Sequence, residues 1–210
     1  MVRILVADDH AILRRGLKEI LARELPEAVF CEANDAQQVL KEVGRSAWDL
    51  LILDVSMPGR SGLDVLRDLK ILRPKLPILV LSVHPEDQYG KRVLKAGASG
   101  YLNKDSAPEE LIKAARKVLA GGHYVSPGLA ERLASDLRRG SAQPAHEILS
   151  DRELEVLRMI AAGKTVSQVG TELHLGVTTV STYRARILDK LNLTTTAEII
   201  HYALTNGLAD

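Results

Sequence analysis

The sequence predicts two domains of different class. Residues 1–123 form an α/β domain on a five-stranded parallel sheet, and residues 148–210 form a small all-α domain of four helices. Residues 124–147 join them as a linker that includes a helix. Three observations predict this. Five short apolar runs alternate with amphipathic stretches through the first part, the signature of a parallel sheet covered on both faces. The alternation stops at Gly121-Gly122. From Ile148 onward apolar residues recur only at helical spacing.

The predicted strands are Val2–Ala7, Ala28–Ala33, Leu50–Asp54, Pro77–Ser82 and Gly100–Asn103. Between them lie helices. Ala11–Leu25 carries Ile12, Leu13, Leu17, Ile20 and Leu21 at helical spacing. Ala36–Val43, Ser61–Leu72 and Asp87–Ala96 follow, and Ser106–Ala120 is the fifth. Ser61 with Asp64, and Ser106 with Glu109, have the three-residue spacing of N-terminal capping pairs. Right-handed crossovers connect such strands. Ser126-Pro127 starts a linker helix running to about residue 138. Residues 139–146, with Gly, Ser, Gln and Pro, read as a joint. In the second domain Ser150 and Glu153 cap a helix carrying Leu154, Val156, Leu157 and Ile160, and Gly163 stops it. Thr165–Leu173, Val177–Leu191 and Thr196–Asn206 complete the four helices.

Composition narrows the class. The 210 residues are 46% apolar, enough for packed cores, and 26% charged, which excludes neither sign of partner because the net charge is only +1. Residues 1–125 hold 19 basic and 17 acidic groups, and residues 148–210 hold 6 and 7. A nucleic-acid role would therefore rest on local arrangement, not on bulk charge. Cys31 stands alone, which excludes an intrachain disulfide and a thiolate metal set. The longest apolar runs, within 49–54 and 77–82, fall far short of the roughly 20 residues of a membrane helix, and residues 1–6 lack signal-peptide anatomy. A cytoplasmic protein with no membrane partner is expected.

The chemistry concentrates at predicted strand ends. Asp8 and Asp9 follow the first strand, Asp54 ends the third, Ser82 ends the fourth and Lys104 follows the fifth. Parallel strands end on one edge, where open α/β sheets bind ligands. Three carboxylates together repel one another unless a cation binds, and hard oxygen donors suit Mg²⁺. A lysine beside them suits a phosphoryl group. Singly, each residue has a plainer reading: an Asp at a strand end or Ser82 can cap a helix, Tyr101 can be an ordinary sheet tyrosine, and Ser56 and His84 can be solvated edge residues.

Taken together, VADDH (6–10), LILDVSMPGRSG (51–62), VLSVH (80–84) and GYLNKDS (100–106) resemble the receiver domain of response regulators, with its flavodoxin-like (βα)5 fold. The resemblance implies that Asp54 accepts phosphate from a sensor histidine kinase. It implies Asp8, Asp9, Asp54 and the Ser56 carbonyl around Mg²⁺, with Asp8 in the outer shell. It also implies Ser82 and Lys104 as partners of the phosphoryl group, and Tyr101 as an aromatic switch that turns inward with Ser82.

A helix, a short helix, a tight turn and a longer helix make a helix-turn-helix. LSDRELEVL (149–157), Gly163 and TVSTYRARILDKLNL (179–193) resemble the LuxR-type output domain, so nearly the whole chain resembles the NarL/FixJ family. On the third helix Val180, Ile187, Leu188 and Leu191 share a core face. Thr178, Ser181, Thr182, Ala185 and Asp189 lie on the other side, flanked by Arg184, Arg186 and Lys190. Thr178, Thr179, Ser181, Thr182, Arg184, Arg186 and Lys190 are the expected DNA-contacting residues in the major groove: hydroxyls and methyls toward bases, cations toward phosphates. The chain departs from the commoner family pattern. It has Thr178 and Ser181 where lysines are usual, Val166-Ser167-Gln168 for Asn-Lys-Glu, and Gly176 for a Ser or Thr cap. Fewer cations imply a shallower salt dependence. Ile199, Ile200, Ala203 and Leu204 on the last helix are the expected dimerisation residues; some of them also cover the core. A homodimer would meet inverted half-sites about one DNA turn apart.

Two other classes are weighed. A metal-dependent aspartyl-phosphate phosphatase usually carries a second Asp two residues after its nucleophile, where this chain has Ser56. No enzyme activity beyond the protein's own phosphorylation and dephosphorylation is therefore expected. A pseudo-regulator acting only through protein partners would not need the full acid set with Lys104.

Overall fold

The structure, a computed structural model, describes residues 1–57, 62–84, 86–106, 108–139 and 145–209. It divides into two compact units, Met1–Gly140 and Ser141–Asp210. The first contains β1 (Arg3–Ala7), α1 (Ala11–Glu24), β2 (Val29–Ala33), α2 (Ala36–Arg45), β3 (Leu50–Asp54), α3 (Gly62–Leu72), β4 (Ile78–Ser82), α4 (Glu86–Lys95), β5 (Gly100–Asn103), α5 (Pro108–Leu119) and α6 (Pro127–Arg139). The strands are all parallel in the order β2-β1-β3-β4-β5. The order reverses direction between β1 and β3, which makes the C-terminal ends of those strands the crevice of the sheet.

The two-residue side-chain period of a strand divides the core into two layers. Leu5, Ala7, Leu51, Leu53, Ile78 and Val80 face α2, α3 and α4 in one cluster. Ile4, Val6, Leu50, Ile52, Leu79 and Leu81 face α1 and α5 in the other. Every residue of β3 and β4 is buried, which explains why these strands read as unbroken apolar runs. The β5 edge is covered by Tyr124, whose N–H donates to the Ser99 carbonyl and whose carbonyl accepts from Tyr101 N–H.

Helix starts follow local chemistry, with one correction. Asp35 caps α2 by accepting from Gln38 N–H at 2.8 Å. α5 begins at Pro108 and not at Ser106: proline takes the first helical position, where its missing N–H costs nothing. The capping role expected of Ser61 lies outside the described residues.

The helix expected in the linker groups with the first unit and packs on α4. Ser126 caps it, its hydroxyl accepting from Leu129 N–H at 3.1 Å. Glu86 of α4 accepts from the Ser126 N–H at 3.3 Å and from its hydroxyl. Leu129 is 3% exposed and lies over Gly90 of α4. A Cβ at position 90 would sit 2.6 Å from the Leu129 Cδ2 atom, so glycine lets Leu129 settle this deep and a larger residue would push the end of that side chain aside.

The second unit holds a 3₁₀ turn (Ala145–Ile148), α7 (Asp151–Ala161), α8 (Val166–Glu172), α9 (Val177–Leu191) and α10 (Thr196–Thr205). Leu154, Leu157, Ile160, Val169, Val180 and Ile187 form the centre of its core. Three helices carry complete capping boxes: Ser150 with Glu153, Thr165 with Gln168, and Thr195 with Glu198. Gln168, one of the departures from the common pattern, thus has a folding role. Gly170 allows the turn after α8 to pack closely on that helix, because a Cβ there would lie 2.8 Å from the Leu175 carbonyl oxygen. Ile199 and Ala203 are fully buried on the α10 face that packs on α7, so they are core residues and not part of an exposed interface. Ile200 is partly buried, and Leu204 is 62% exposed.

Glu153 is 2% exposed as a side chain, caps α7 and accepts from the Lys190 ammonium of α9 at 2.7 Å. Burial opposes its ionisation, yet the bonds from Lys190 and Ser150 outweigh burial and hold its pKa below the ordinary 4.5. A lowered folded pKa contributes stability that is complete above the unfolded value and lost as pH falls through the folded one. Two outcomes are expected. The second unit loses stability below pH 4.5 in wild type but less steeply in Glu153→Gln, as read by chemical unfolding at a series of pH values. Leu129→Ala weakens the α6–α4 contact by about 2 kcal/mol, read as faster amide exchange in α6 with the sheet amides unchanged.

Candidate functional site

The register of the sheet places the acids. Ala7 pairs with Leu53 and Ser82 with Asn103, so Asp8 comes level with Asp54, and Lys104 follows just beyond Ser82. Asp8, Asp54 and Ser82 are buried, whereas Asp9 and Ser56 are exposed. The Lys104 ammonium lies 2.7 Å from Asp8 Oδ2 and 2.7 Å from Asp54 Oδ2. Asp54 Oδ1 accepts from Ser56 N–H at 2.7 Å. Single ligand atoms of Asp8, Asp9, His10 and Asp54 lie within 4.8 Å of one another, close enough to hold one metal ion.

The electrostatics are those of a charge-deficient site. Burial raises the Asp54 carboxyl above its ordinary range and Asp8 adds to the rise, although Lys104 and the Ser56 N–H pull against it. Burial works against the Lys104 ammonium as well, but its bonds to Asp54 and Asp8 prevail and raise its pKa. One lysine faces three carboxylates, and the surplus of oxygen donors fits a hard divalent cation. His10, which the sequence reading passed over, joins the set: its Nδ1 is 2.9 Å from Asp9 and 3.2 Å from Asp8. Its position directly after the acid pair was the available signal.

Behind the acids lies a relay of contacts. The Ser82 hydroxyl accepts from His84 N–H at 3.1 Å, and the Ser82 carbonyl accepts from Lys104 N–H at 2.9 Å. Tyr101 is wholly buried and its hydroxyl donates to the His84 carbonyl at 2.6 Å. The His84 ring stacks on Tyr89 of α4 with centroids 4.3 Å apart. Ser82 and Tyr101 are thus joined through one residue, His84, and that residue touches α4.

In the second unit α9 runs from Val177 to Leu191, as its spacing predicts. Thr178, Thr179, Thr182 and Arg186 are exposed, and Ser181 is partly so. Two of the expected contact residues are occupied within the unit. Arg184 is half-buried and donates to Thr196 Oγ1 at 3.0 Å, and Lys190 pairs with Glu153. Neither pairing is visible in the sequence, because each joins residues from different helices.

The comparisons match this geometry. Residues 4–116 match the model of the response regulator receiver domain, and residues 147–203 match that of bacterial regulatory proteins of the luxR family. The chain is 34% identical to the response regulator UvrY of Escherichia coli K12, over all of this chain and 97% of the relative. It is 35% identical to the response regulator GacA of Pseudomonas aeruginosa, over all of this chain and 99% of that one. RcsB of Salmonella enterica serovar Typhimurium, solved bound to the rprA promoter with the phosphomimetic BeF₃⁻, superimposes with a TM-score of 0.62 at 25% identity, covering 96% of this chain and 97% of that one. A LuxR-family response regulator from Aurantimonas has a TM-score of 0.60 at 31% identity, over 65% of this chain and 97% of its own. The chain belongs to the NarL/FixJ family of response regulators, phosphorylation-dependent DNA-binding regulators of transcription that join a receiver domain to a LuxR-type helix-turn-helix domain.

Proposed function

We propose that Asp54 of a receiver domain spanning residues 1–123 takes a phosphoryl group from the phosphohistidine of a sensor kinase in the cytoplasm. The change is passed through residues 124–147 to a DNA-binding domain spanning 148–210. The observation that carries this reading is the sharing of Lys104 between Asp8 and Asp54, at 2.7 Å from each. A buried carboxylate held beside a buried ammonium has a neighbour ready for the charge that phosphorylation adds.

Asp8, Asp9, Asp54 and the Ser56 carbonyl would hold Mg²⁺, and the acid cluster within 4.8 Å supports that set. When bound, the ion neutralises oxygens of the incoming phosphoryl group. The chain's own residues do the rest. Ser56 N–H orients the Asp54 carboxylate. The bond from an Asp54 oxygen to phosphorus forms as the donor's nitrogen–phosphorus bond breaks, and the histidine keeps the electron pair. Lys104 then exchanges a carboxylate partner for phosphoryl oxygens, and Ser82 turns its hydroxyl to the same group. Because Ser82 and Tyr101 share His84, that turn alters the contacts of Tyr101 and of α4, which is a two-state surface of the kind phosphorylation biases. Attack of water at phosphorus breaks the bond to the Asp54 oxygen, releases inorganic phosphate and restores the carboxylate, and no other substrate is turned over.

On the DNA side, Thr178, Thr179, Ser181, Thr182 and Arg186 contact the major groove and its phosphates, supported by their exposure on α9. Arg184 and Lys190 act within the unit. Two copies of the chain, meeting through Ile200 and Leu204 of α10, would place two α9 helices on inverted half-sites.

Two outcomes test this. Treatment with a small phosphodonor and Mg²⁺ adds one phosphoryl mass to the wild-type chain and none to Asp54→Ala, whose thermal unfolding stays within a few degrees of wild type; a gain in the variant refutes the site. Arg186→Ala weakens operator binding and reduces the slope of log affinity against log salt by about 0.9, the value of one phosphate contact. An unchanged slope removes Arg186 from the interface.

A further inference from the structure

We infer that α9 selects its operator by the 5-methyl groups of thymine, through Thr178, Thr182 and Ala185, and not by arginine or lysine bonds to guanine. The inference rests on the DNA-binding reading above and deepens it to the class of base recognised.

The first observation is geometric. A helix advances about 100° per residue, so Thr178, Thr182, Ala185 and Asp189 fall within about 40° of one line. All four are exposed, and that line lies opposite the buried Val180 and Ile187. The second concerns what the line presents. The Thr182 hydroxyl donates to its own helix at the Thr178 carbonyl, at 2.9 Å. With its hydroxyl satisfied inside the helix, Thr182 offers its methyl group outward. Ala185 offers only a methyl, one turn further on.

The third observation concerns the competing readout. Guanine is read chiefly by bidentate Arg or Lys at O6 and N7. Arg184 is turned toward α10, where it bonds Thr196, and the Lys190 ammonium is held by the buried Glu153. Arg186 remains exposed, but it stands about 80° from Thr178 around the axis, at the flank, where phosphates lie when the face enters the groove. Asp189 ends the line with a carboxylate, which phosphates repel, so the contact runs along the first three turns of α9. A surface of methyl groups in the major groove finds one apolar partner there, the thymine C5-methyl.

The test uses the full chain, treated with a small phosphodonor and Mg²⁺, and half-sites selected from random duplexes. Uracil then replaces thymine at each selected position, which deletes the methyl group and leaves pairing intact. Each contacted thymine so replaced should weaken binding about fourfold, the factor that one buried methyl-sized group is worth. Thr182→Ser, which keeps the hydroxyl bond and loses the methyl, should bind the thymine duplex about fourfold more weakly and become indifferent to uracil at one position. Thr182→Val keeps the methyl and should keep the uracil effect. Circular dichroism melts identical to wild type would exclude misfolding as the cause. Half-sites bound equally well with thymine or uracil overturn the inference while leaving DNA binding in place. Failure to select any sequence overturns the DNA-binding reading and this inference with it.

Discussion

The first unit is organised around one ammonium group. Lys104 Nζ stands 2.7 Å from a carboxylate oxygen of Asp8 and 2.7 Å from one of Asp54, and all three side chains are nearly out of solvent. At that separation each attraction is worth about 6 kcal/mol for an effective dielectric near 20. Desolvation costs several kcal/mol per ion, so the cluster is close to balance. It is held because β1, β3 and β5 are laid parallel by strands that are buried on both faces and end at one level. The fold stabilises the site through its apolar core, and the site contributes little to the fold in return. A change in charge at Asp54 therefore acts on groups that are already near the limit of what their partners can support.

The contacts leading away from that cluster are short and continuous. Ser82 and Tyr101 both bond to His84, one through its N–H and one through its carbonyl. His84 stacks on Tyr89, one residue before Gly90, and Gly90 receives Leu129 of α6. Glu86, at the start of the same α4 helix, holds the cap of α6 through Ser126. Within the first unit, the element that leads toward the second is thus fastened to the helix beside the acids. Two polar bonds and one leucine over a glycine contribute on the order of a few kcal/mol, a scale at which electrostatic changes shift populations.

Much of this was legible in the sequence, for physical reasons. Fully buried strands read as unbroken apolar runs, so the positions of β3 and β4, and with them the ends that bear Asp54 and Ser82, follow from the apolar pattern alone. The convergence of Asp8, Asp54 and Lys104 follows from parallel topology, and the span of α9 from its spacing. What was not legible depends on tertiary contact or on competition between local signals. Pro108 displaced the start of α5 from Ser106. α6 packs on α4 through a glycine that sequence periodicity does not flag. Ile199 and Ala203 have the same apolar character as Ile200 and Leu204, and only the position of α7 decides which pair is buried. The partners of Arg184 and Lys190 come from other helices, so the sequence alone does not reveal these two bonds.

That last point changes how the second unit is understood. With 6 basic groups against 7 acidic ones from 148 onward, the unit has little cationic charge to spend on phosphates. The structure commits part of it to holding α9 in place: Lys190 ties the helix to the cap of α7, and Arg184 ties it to the start of α10. Glu153 balances the Lys190 charge, whereas Arg184, bonded to a neutral hydroxyl, keeps its own but is held by that bond. Sequence-independent affinity, which scales with phosphate neutralisation, must then be weak, and discrimination must come from close contact between the outward face of α9 and base edges. A helix tied at its middle and its C-terminal end and faced with small side chains is suited to that, since short groups on a fixed backbone lose little entropy on contact and allow the helix to lie deep in the groove.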